Sequence, residues 1–464
     1  MPPISPGGER SPEDAGIRLP WARSDRPVPR LVVRPIQEFL QTATAGASLL
    51  LIAAVIALIW ANAPFGSSYQ RLWLTKLSIG IGDRTIEESL RYWINDGLMA
   101  LFFLVVGLEI KREFLIGELR DRRAAAAPVV ASIGGMVLPV LIYLAVNAGG
   151  DGTRGWGVVM PTDIAFTLGL LALATAGAAP GLKPFVLTLA LVDDIATIVV
   201  IGIFYPTEIA VMPLVVAAAV AGAIVLLQRI HVRMMAVYIT LGVGMWLALH
   251  ASGIPPVLAG VVAGLVTPAL PFQRPRDVSE EAIRTADQTV DEPSPPDADA
   301  FWWLRLAWLS KEAVSPLARA EHALLPWTSF VIVPLFALAN AGVRVVGSDL
   351  SGALHGPVAI GIVLARVIGK PLGIAFGTWL AVRTGIGRLP SDTKPAGVIG
   401  VGLAAGIAFT VSLFVSELSF AGQPLLLHAA KVGILITAAT AGIVGFVVLR
   451  LTSGPRVRHW SVSD

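Results

Sequence analysis

The sequence predicts an all-α membrane protein with about twelve transmembrane helices. The first observation behind this is composition: 55 % of the 464 residues are hydrophobic and only 14 % are charged, against about 25 % charged residues in a typical soluble domain. The second is a series of long apolar segments, and the third is the alternation of basic residues between the loops that join them. The chain has no cysteine, which excludes disulfides, thiolate metal sites and thiol nucleophiles.

Twelve apolar segments are interpreted as spans because each approaches the length needed to cross a bilayer core. Their expected bounds are 44–63, 93–107, 124–147, 157–176, 182–204, 211–227, 234–250, 254–270, 324–346, 357–382, 396–418 and 426–449. Basic residues crowd alternate loops: five lie at 111–123, whereas the next loop holds only Arg154. Because Lys and Arg mark cytoplasmic loops, both chain termini are expected in the cytoplasm.

Residues 41–452 are expected to form the transmembrane domain, which would contain two non-membrane insertions and be flanked by a leader and a tail. Residues 1–40 lack the apolar region of a signal peptide and predict a disordered cytoplasmic leader, and 453–464 a cytoplasmic tail. Residues 64–92 alternate apolar and polar side chains around a Gly-Asp pair, which predicts an outer β-hairpin. Residues 271–322 predict a cytoplasmic loop whose acidic, Pro-rich part, SEEAIRTADQTVDEPSPPDADA, is disordered.

The fourth and eleventh spans contain similar sequences. The segment DIAFTLGL at 163–170 is repeated as GIAFTVSL at 406–413, and both spans are interrupted near the middle, one by Pro161-Thr162-Asp163 and the other by glycines. An offset of seven helices means opposite orientations in the membrane. The pattern therefore predicts inverted-topology repeats with two unwound helices, which is a sequence indicator of a transporter site. Broken helices place dipole ends and free backbone groups at mid-bilayer.

Three aspartates lie inside predicted spans: Asp193 and Asp194 side by side in the fifth, and Asp163 at the break in the fourth. Charges at that depth are costly and usually functional. Na⁺ and Li⁺ are hard cations, and the carboxylates, the Thr162 hydroxyl and freed carbonyls would supply the oxygen ligands that hard cations prefer. Because burial disfavours the charged form of a carboxyl group, a proton and Na⁺ are expected to compete for the same oxygens.

Lys370 lies deep in the tenth span and is expected to act with these carboxylates. Our hypothesis is that it pairs with Asp193 when no ion is bound and releases Asp193 when a cation arrives. Three alternatives stay open: Lys370 as a structural counter-ion to Asp163, Asp163 as only the N-cap of the helix after the break, and the adjacent aspartates as structural hydrogen-bonding groups.

Other charged residues near helix ends allow two interpretations each. Glu109, Arg112 and Glu113 are spaced i, i+3 and i+4, which suits either a surface ion-pair cluster or a functional one. Asp96, in the motif WIND, is either the N-cap of the second helix or a pathway residue. Two deep cations are expected to pack or to extend towards the membrane surface; these are Arg366 and Lys431.

Six motifs together resemble those of the NhaA-type bacterial Na⁺/H⁺ antiporters. They are WIND at 93–96, VGLEIKREFLIGELRD at 106–121, PTDIAFTLG at 161–169, LVDDIATI at 191–198, PLFALANAGV at 334–343 and IGKPLGI at 368–374. The resemblance covers about residues 40–450. It implies an inner-membrane fold with inverted repeats and crossed, unwound fourth and eleventh helices. It also implies electrogenic exchange of Na⁺ or Li⁺ for more than one proton, activated at alkaline pH.

The resemblance also implies roles for individual residues. Asp193 and Asp194 match the ion-binding pair, Asp163 and Thr162 the helix crossing, and Lys370 the functional lysine. The positions tied to pH response at a cytoplasmic funnel are Glu109, Arg112, Glu113 and Glu321. The hairpin at 64–92 matches the family's homodimer contact, and neither a cofactor nor nucleic acid is implied. The chain departs from the family at Pro255, where a histidine linked to pH sensing is usual, and at Ala318, where a lysine is usual.

Two other functions stay open on the sequence. An Na⁺-coupled organic-anion symporter on a similar scaffold would need a larger polar cavity at the break. An intramembrane aspartyl protease would need two aspartates on separate helices facing one water molecule, and Asp163 and Asp194 are the candidates. Neither aspartate lies in the GxGD-type motif of such proteases, and a deep lysine beside the aspartates would be unusual there.

Overall fold

A computed structural model describes residues 45–81, 84–175, 181–206, 208–230, 232, 234–291, 296–345, 348–388 and 395–452. The predicted leader at 1–40 and tail at 453–464 lie outside these ranges. Within them, nine helices are long and apolar enough to cross a membrane, and two bent helix pairs raise the number to eleven. The protein is therefore an all-α membrane protein, as the sequence predicts.

The elements are numbered in chain order. They are α1 (Ala45–Asn62), α2 (Ser67–Leu74), β1 (Lys76–Ile81), β2 (Arg84–Ser89), α3 (Leu90–Leu115), α4 (Arg122–Val146), α5 (Ile164–Thr175), α6 (Leu182–Phe204), α7 (Val211–Arg229), α8 (Met235–Ser252), α9 (Leu258–Val266), α10 (Pro275–Asp291), α11 (Pro296–Glu312), α12 (Pro316–Asn340), α13 (Ser348–His355), α14 (Pro357–Arg383), α15 (Pro395–Ala405), α16 (Thr410–Ser419) and α17 (Pro424–Thr452). Short 3₁₀ helices occur at Glu118–Arg120 and Asp151–Val159. Helices α3, α12 and α14 contain π-helical turns at Trp93–Leu98, Thr328–Ile332 and Ala365–Gly369.

The eighth predicted span, 254–270, is helical only over the nine residues of α9. Pro255 and Pro256 precede this helix and Pro268 follows it, and proline interrupts helical hydrogen bonding because it lacks an N–H group. The short helix packs tightly on α3: a Cβ built on Gly260 would lie 1.9 Å from the Ala100 carbonyl oxygen. The other eleven predicted spans correspond to the membrane-length helices and bent pairs.

The predicted hairpin is present after α2. Strands β1 and β2 pair antiparallel, with Lys76 opposite Ser89 and Ile81 opposite Arg84; its turn residues, 82–83, lie outside the described ranges. The alternation of side chains leaves Leu77 and Ile79 with exposed fractions of 43 % and 53 %. The hairpin therefore presents apolar side chains on its surface.

The prediction of a disordered stretch between residues 279 and 300 is wrong for the residues described there, because helices α10 and α11 cover all but 292–295. Each begins with proline, which is well tolerated in the first turn of a helix. Val278 on α10 is buried, and Glu281 of α10 accepts from Arg305 of α11 at 3.0 Å. The acidic, Pro-rich composition is thus compatible with two helices that contact each other.

Helices α4 and α14 approach closely enough to bring their polar residues together. A Cβ built on Gly373 of α14 would lie 2.2 Å from the carbonyl oxygen of Gly134 on α4, so this contact requires glycine. Small residues commonly permit such close packing of membrane helices. As a result Ser132 of α4 and Lys370 of α14 both reach Asp193 of α6.

Both interrupted spans are bent where the sequence predicts a break. The 3₁₀ helix Asp151–Val159 and α5 are inclined at 51°, as are the helices on either side of the second break, α15 and α16. The intervening residues, 160–163 and 406–409, are not helical. The Asp163 N–H donates to the Ile407 carbonyl at 3.2 Å, so the two breaks contact each other. Their crossing as inverted repeats stays a prediction.

Candidate functional site

Asp193 is completely enclosed and is held by three different segments of the chain. Its exposed fraction is 0 %, and its carboxylate accepts hydrogen bonds from Ser132 Oγ at 2.6 Å, from Thr162 Oγ1 and from Lys370 Nζ at 2.9 Å. Thr197, one turn further along α6, donates to the Asp193 backbone carbonyl at 2.7 Å. The side chain is therefore fixed by α4, by the first break and by α14.

Lys370 is also fully buried, and it bonds the first break as well as Asp193. Its ammonium donates to the Met160 carbonyl and, at 3.2 Å, to the Pro161 carbonyl. These bonds and the one to Asp193 use the three donors of an ammonium group. The pairing is the one hypothesised for the ion-free state, and Asp163 is not among the partners of this ammonium in the described part of the chain.

Asp194 follows Asp193 directly but has a different environment. Consecutive helical residues point roughly 100° apart, so the two carboxylates face different neighbours. Asp194 Oδ1 is buried and has no hydrogen-bond partner among the described residues. Because an unpaired buried carboxylate oxygen is costly, this oxygen is a candidate position for a bound cation or for a proton.

Asp163 lies at the junction of the two broken spans. Its Oδ1 accepts from the Phe166 N–H at 3.4 Å, as the N-cap of α5 would, and its Oδ2 accepts from Thr410 Oγ1 at 2.9 Å. The N-termini of α5 and α16 carry partial positive charge and both adjoin this carboxylate. Asp163 therefore does more than cap α5, because it also joins the first broken span to the second.

Two threonines at equivalent positions of the two similar segments form hydrogen bonds between the broken spans. Thr167 and Thr410 occupy the same place in DIAFT and GIAFT, and each donates to the other span: Thr167 to the Ala404 carbonyl at 3.3 Å and Thr410 to Asp163. The counterpart of Asp163 is Gly406, where a Cβ would lie 2.9 Å from the Arg366 carbonyl oxygen. The junction therefore holds a carboxylate from one repeat only.

Arg366 is fully buried, so it packs inside the protein, and the alternative that it extends to the membrane surface is wrong. Its guanidinium donates to the Val158 carbonyl, to the Ala408 carbonyl at 2.7 Å and to Ser412 Oγ. Arg366 lies four residues before Lys370, so both cations share one face of the helix. This spacing is a sequence signal that Arg366 points to the same interior region as Lys370.

Two hydroxyl residues that bond the aspartates are not predicted from the sequence. Ser132 and Thr410 bond the aspartates, but a single hydroxyl in an apolar helix gives no signal in the sequence. Lys431 is buried as well and pairs with Glu417 at 2.6 Å, so it also packs inside the protein and does not extend to the membrane surface.

The four residues predicted for pH response come together where α3 and α12 meet. Arg112 Nη1 pairs with Glu321 Oε1 at 2.7 Å, and Glu109 lies within electrostatic range of Arg112, Glu113 and Glu321. The ion pair joins two helices and is not a pair within one helix surface. Since half of the Arg112 side chain is exposed, the pair contributes at most about 1 kcal/mol.

Asp96 lies apart from the other aspartates. It is buried within the π-helical turn of α3, so it is not the N-cap of that helix; Ser89 is, accepting from the Tyr92 N–H at 3.2 Å. The backbone carbonyl of Asp96 accepts a hydrogen bond from Trp246 Nε1 at 2.7 Å. The nearby carboxylate is Glu88 of β2, which places Asp96 at the hairpin side.

A cleft of 1570 Å³ lies elsewhere, between the hairpin, α3 and α8. Its lining is largely apolar and includes Trp93, Tyr238 and Trp246. None of the candidate site residues lines it. The cleft is therefore not the large polar cavity at the break that an organic-anion symporter would need.

Comparison with known proteins places this chain in a family. Residues 37–449 match the family model described as Na⁺/H⁺ antiporter 1. The chain belongs to that family. It is 42 % identical over 432 residues to Na(+)/H(+) antiporter NhaA 3 of Frankia alni, which covers 92 % of each chain. It is 43 % identical over 426 residues to an Na(+)/H(+) antiporter NhaA of Anaeromyxobacter sp., with 92 % of this chain and 93 % of the relative covered.

A third relative extends the match towards the ends of both chains. It is the Na(+)/H(+) antiporter NhaA of Sulfurimonas denitrificans, 39 % identical over 440 residues and covering 94 % of this chain and 98 % of the relative. These findings confirm the resemblance carried by the six motifs. They make the chain a bacterial membrane transporter.

Proposed function

We propose that this antiporter exchanges Na⁺ for H⁺ by letting the two ions occupy Asp193 and Asp194 in turn. One observation carries the proposal: Asp193 is paired with Lys370 at 2.9 Å, while the adjacent Asp194 keeps a buried oxygen without a partner in the described part of the chain. One carboxylate is thus held by an internal cation, and the other is available to an incoming ion.

The exchange follows from competition for oxygen atoms. An arriving Na⁺ would be coordinated by Asp194, by Asp193 and by the hydroxyl of Thr162, which are the hard oxygen ligands that such a cation prefers. Lys370 would then release Asp193, and any proton held by the carboxyl groups would leave. One proton would come from the carboxyl group of Asp194 and a second from the ammonium of Lys370 after it has left Asp193. We therefore propose that more than one proton moves for each Na⁺ or Li⁺, which makes the exchange electrogenic.

Alternating access would come from movement of the two broken spans. Their non-helical segments carry Thr162 and Asp163 and contact each other through the Asp163 N–H and the Ile407 carbonyl. Non-helical backbone at membrane depth is tolerated where it lines a cavity. We propose that water-filled funnels reach the aspartates from opposite sides in turn and that the proton gradient drives Na⁺ out of the cell.

Regulation by pH is proposed for the cluster of Glu109, Arg112, Glu113 and Glu321. Its support is the ion pair of Arg112 with Glu321, which joins α3 to α12. We propose that a change in the charge of this cluster would alter the attraction between the two helices. Exchange would then be favoured at alkaline pH.

We further propose the setting of the transporter. It would lie in the inner membrane with both termini cytoplasmic, would serve Na⁺ and pH homeostasis, and would need no cofactor. A homodimer would form through the hairpin at 64–92, where the half-exposed Leu77 and Ile79 would be covered by the second copy.

Everted membrane vesicles containing a pH-sensitive dye test the proposed function. Adding Na⁺ to energised wild-type vesicles should dequench the dye as protons leave, and Asp194→Asn should abolish this response. Asp151→Asn is the matched control, since Asp151 is an exposed aspartate before the first break, and should behave like the wild type. A response that needs an added organic solute, or full exchange by Asp194→Asn, would contradict the proposal.

A further inference from the structure

Arg366 joins the two broken spans through separate nitrogen atoms of one guanidinium. Nη1 donates to the Ala408 carbonyl, within the second break, at 2.7 Å. Nη2 donates to the Val158 carbonyl, just before the first break, and to Ser412 Oγ on α16. Ser412 Oγ itself donates to Val158 at 3.0 Å, so the four groups form one connected network.

Both backbone acceptors lie at a break, where helical hydrogen bonding is interrupted. Val158 is near the C-terminal end of the 3₁₀ helix Asp151–Val159, where the last carbonyls have no partner within the helix and carry partial negative charge. Ala408 lies in the non-helical segment between α15 and α16. A planar guanidinium with several donors in fixed directions is suited to bonding two such groups at once.

The two buried cations of α14 have different chemistry. Lys370 contacts Asp193, so it is placed to exchange with an incoming ion. Arg366 contacts carbonyls and a hydroxyl and no carboxylate among the described residues. Arg366 is therefore bonded to oxygen atoms of the two broken spans and not to a carboxylate that would bind the ion.

We propose that Arg366 is a positioning residue that ties both breaks to α14, so that the junction keeps its geometry while Lys370 releases and recaptures Asp193. A side chain that only filled space would need no donors, and removing the guanidinium would leave the Ala408 carbonyl without its donor. The π-helical turn Ala365–Gly369 carries Arg366 and directly precedes Lys370. Fixing that turn also fixes the base of the lysine.

The inference rests on the proposed exchange, and substitutions that keep or remove the cation test it. Arg366→Met keeps an apolar chain without charge, and Arg366→Lys keeps a charge without the planar fork. Arg383→Met is the matched control, because Arg383 is exposed at the end of the same helix. Initial rates of Na⁺-induced dequenching are measured over a series of Na⁺ concentrations and normalised to the amount of folded protein in the vesicles.

We expect Arg366→Met to lower the maximal rate by roughly ten-fold or more, as misplacement of a reacting group does. Its apparent KM for Na⁺ should stay within about three-fold of the wild type, because an interaction that does not bind the ion leaves KM unchanged. Arg366→Lys should give an intermediate maximal rate, and Arg383→Met the wild-type rate.

A wild-type maximal rate in Arg366→Met, or a raised KM with an unchanged maximal rate, would overturn the inference. If Arg366→Met does not accumulate as folded protein, Arg366→Lys decides: a reduced maximal rate at an unchanged KM supports the inference, and a wild-type rate overturns it. Wild-type vesicles that fail to respond to Na⁺ would instead contradict the proposed function.

Discussion

Asp193 and Asp194 are identical side chains at adjacent positions, and their surroundings separate their roles. The Asp193 carboxylate accepts hydrogen bonds from Ser132, Thr162 and Lys370. Asp194, in contrast, has a buried oxygen without a partner in the described ranges. A buried ion pair contributes little net stability, but breaking one by removing a partner is strongly destabilising. The pair of Lys370 and Asp193 is thus better suited to switching than to holding the fold together.

Replacing Lys370 with alanine tests this competition at the scale of one residue. Lys370→Ala leaves Asp193 without its cation and should lower stability in the absence of Na⁺, by roughly 3–5 kcal/mol if the carboxylate stays charged. Na⁺ no longer has to displace the ammonium, so it should bind more tightly and raise the melting temperature further than in the wild type. Thermal unfolding in detergent, with NaCl or choline chloride, measures both effects.

The control for this prediction is Lys183→Ala, which removes an exposed lysine from the helix that carries Asp193. It should melt like the wild type in both salts. If Na⁺ stabilised Lys370→Ala no more than it stabilises the wild type, the ammonium and the metal ion would not share a site.

The charged members of the candidate site are recognisable in the sequence, but two of their hydrogen-bond partners are not. Asp163, Asp193 and Lys370 are recognisable because charges inside apolar spans are rare, and the pairing of Lys370 with Asp193 was hypothesised correctly. Ser132 and Thr410 were missed because a hydroxyl costs little to bury in a helix, where it can bond its own backbone. Which hydroxyl faces a carboxylate depends on how the helices pack, and this packing cannot be read from the sequence of a single helix.

Helices α4 and α14 set the geometry of the site through contacts between glycines. Gly134 and Gly373 touch so closely that neither has room for a Cβ, and a second contact of this kind joins Gly377 to Val130. Small residues are the usual means by which membrane helices approach. The distance between Ser132 and Lys370, which both hold Asp193, is thereby fixed by backbone packing.

A methyl group at this contact should damage both stability and transport. In Gly373→Ala the new Cβ would fall 2.2 Å from the Gly134 carbonyl oxygen, so the helices must separate, at a cost of about 1–3 kcal/mol. Gly242→Ala in α8 is the control, because its Cβ would meet nothing within 4 Å. Thermal unfolding and vesicle exchange should be impaired in Gly373→Ala only; equal behaviour of the two variants would show that this contact does not position the site.

The elements also show where composition misleads. The stretch at 279–300 is acidic and Pro-rich, yet its described residues are helical. The two helices begin at Pro275 and Pro296, where proline is well tolerated, and Val278 in the first turn of α10 is buried. The span expected at 254–270 is shortened to α9 by the prolines around it. In both cases the position of proline, and not its frequency, decides the local structure.

At the scale of the whole molecule, the chain is a helical bundle with a hairpin on its surface. The hairpin carries the exposed Leu77 and Ile79 on β1 and an exposed ion pair between Lys76 and Glu87 at 3.1 Å. A surface ion pair of this kind adds little stability. Apolar side chains exposed on a short two-stranded sheet are more readily explained by a contact with another molecule.

The proposed dimer predicts that charges on this strand will separate the subunits. Leu77→Asp combined with Ile79→Asp should convert the purified protein from dimer to monomer in light scattering, since burying two carboxylates at an interface is costly. Leu425→Asp is the control, because Leu425 is 81 % exposed at the start of α17, and should leave the dimer intact. A dimer that survived both hairpin substitutions would place the subunit contact elsewhere.

The claim on which the mechanism depends is that Na⁺ and H⁺ compete for one set of carboxyl groups. Adding Na⁺ to purified protein in weakly buffered detergent solution, with a pH indicator, measures this competition without a membrane. The account predicts that Na⁺ binding releases protons, that its apparent affinity falls as the pH is lowered, and that Asp194→Asn releases fewer protons. Na⁺ that bound with the same affinity at every pH and released no protons would contradict the account.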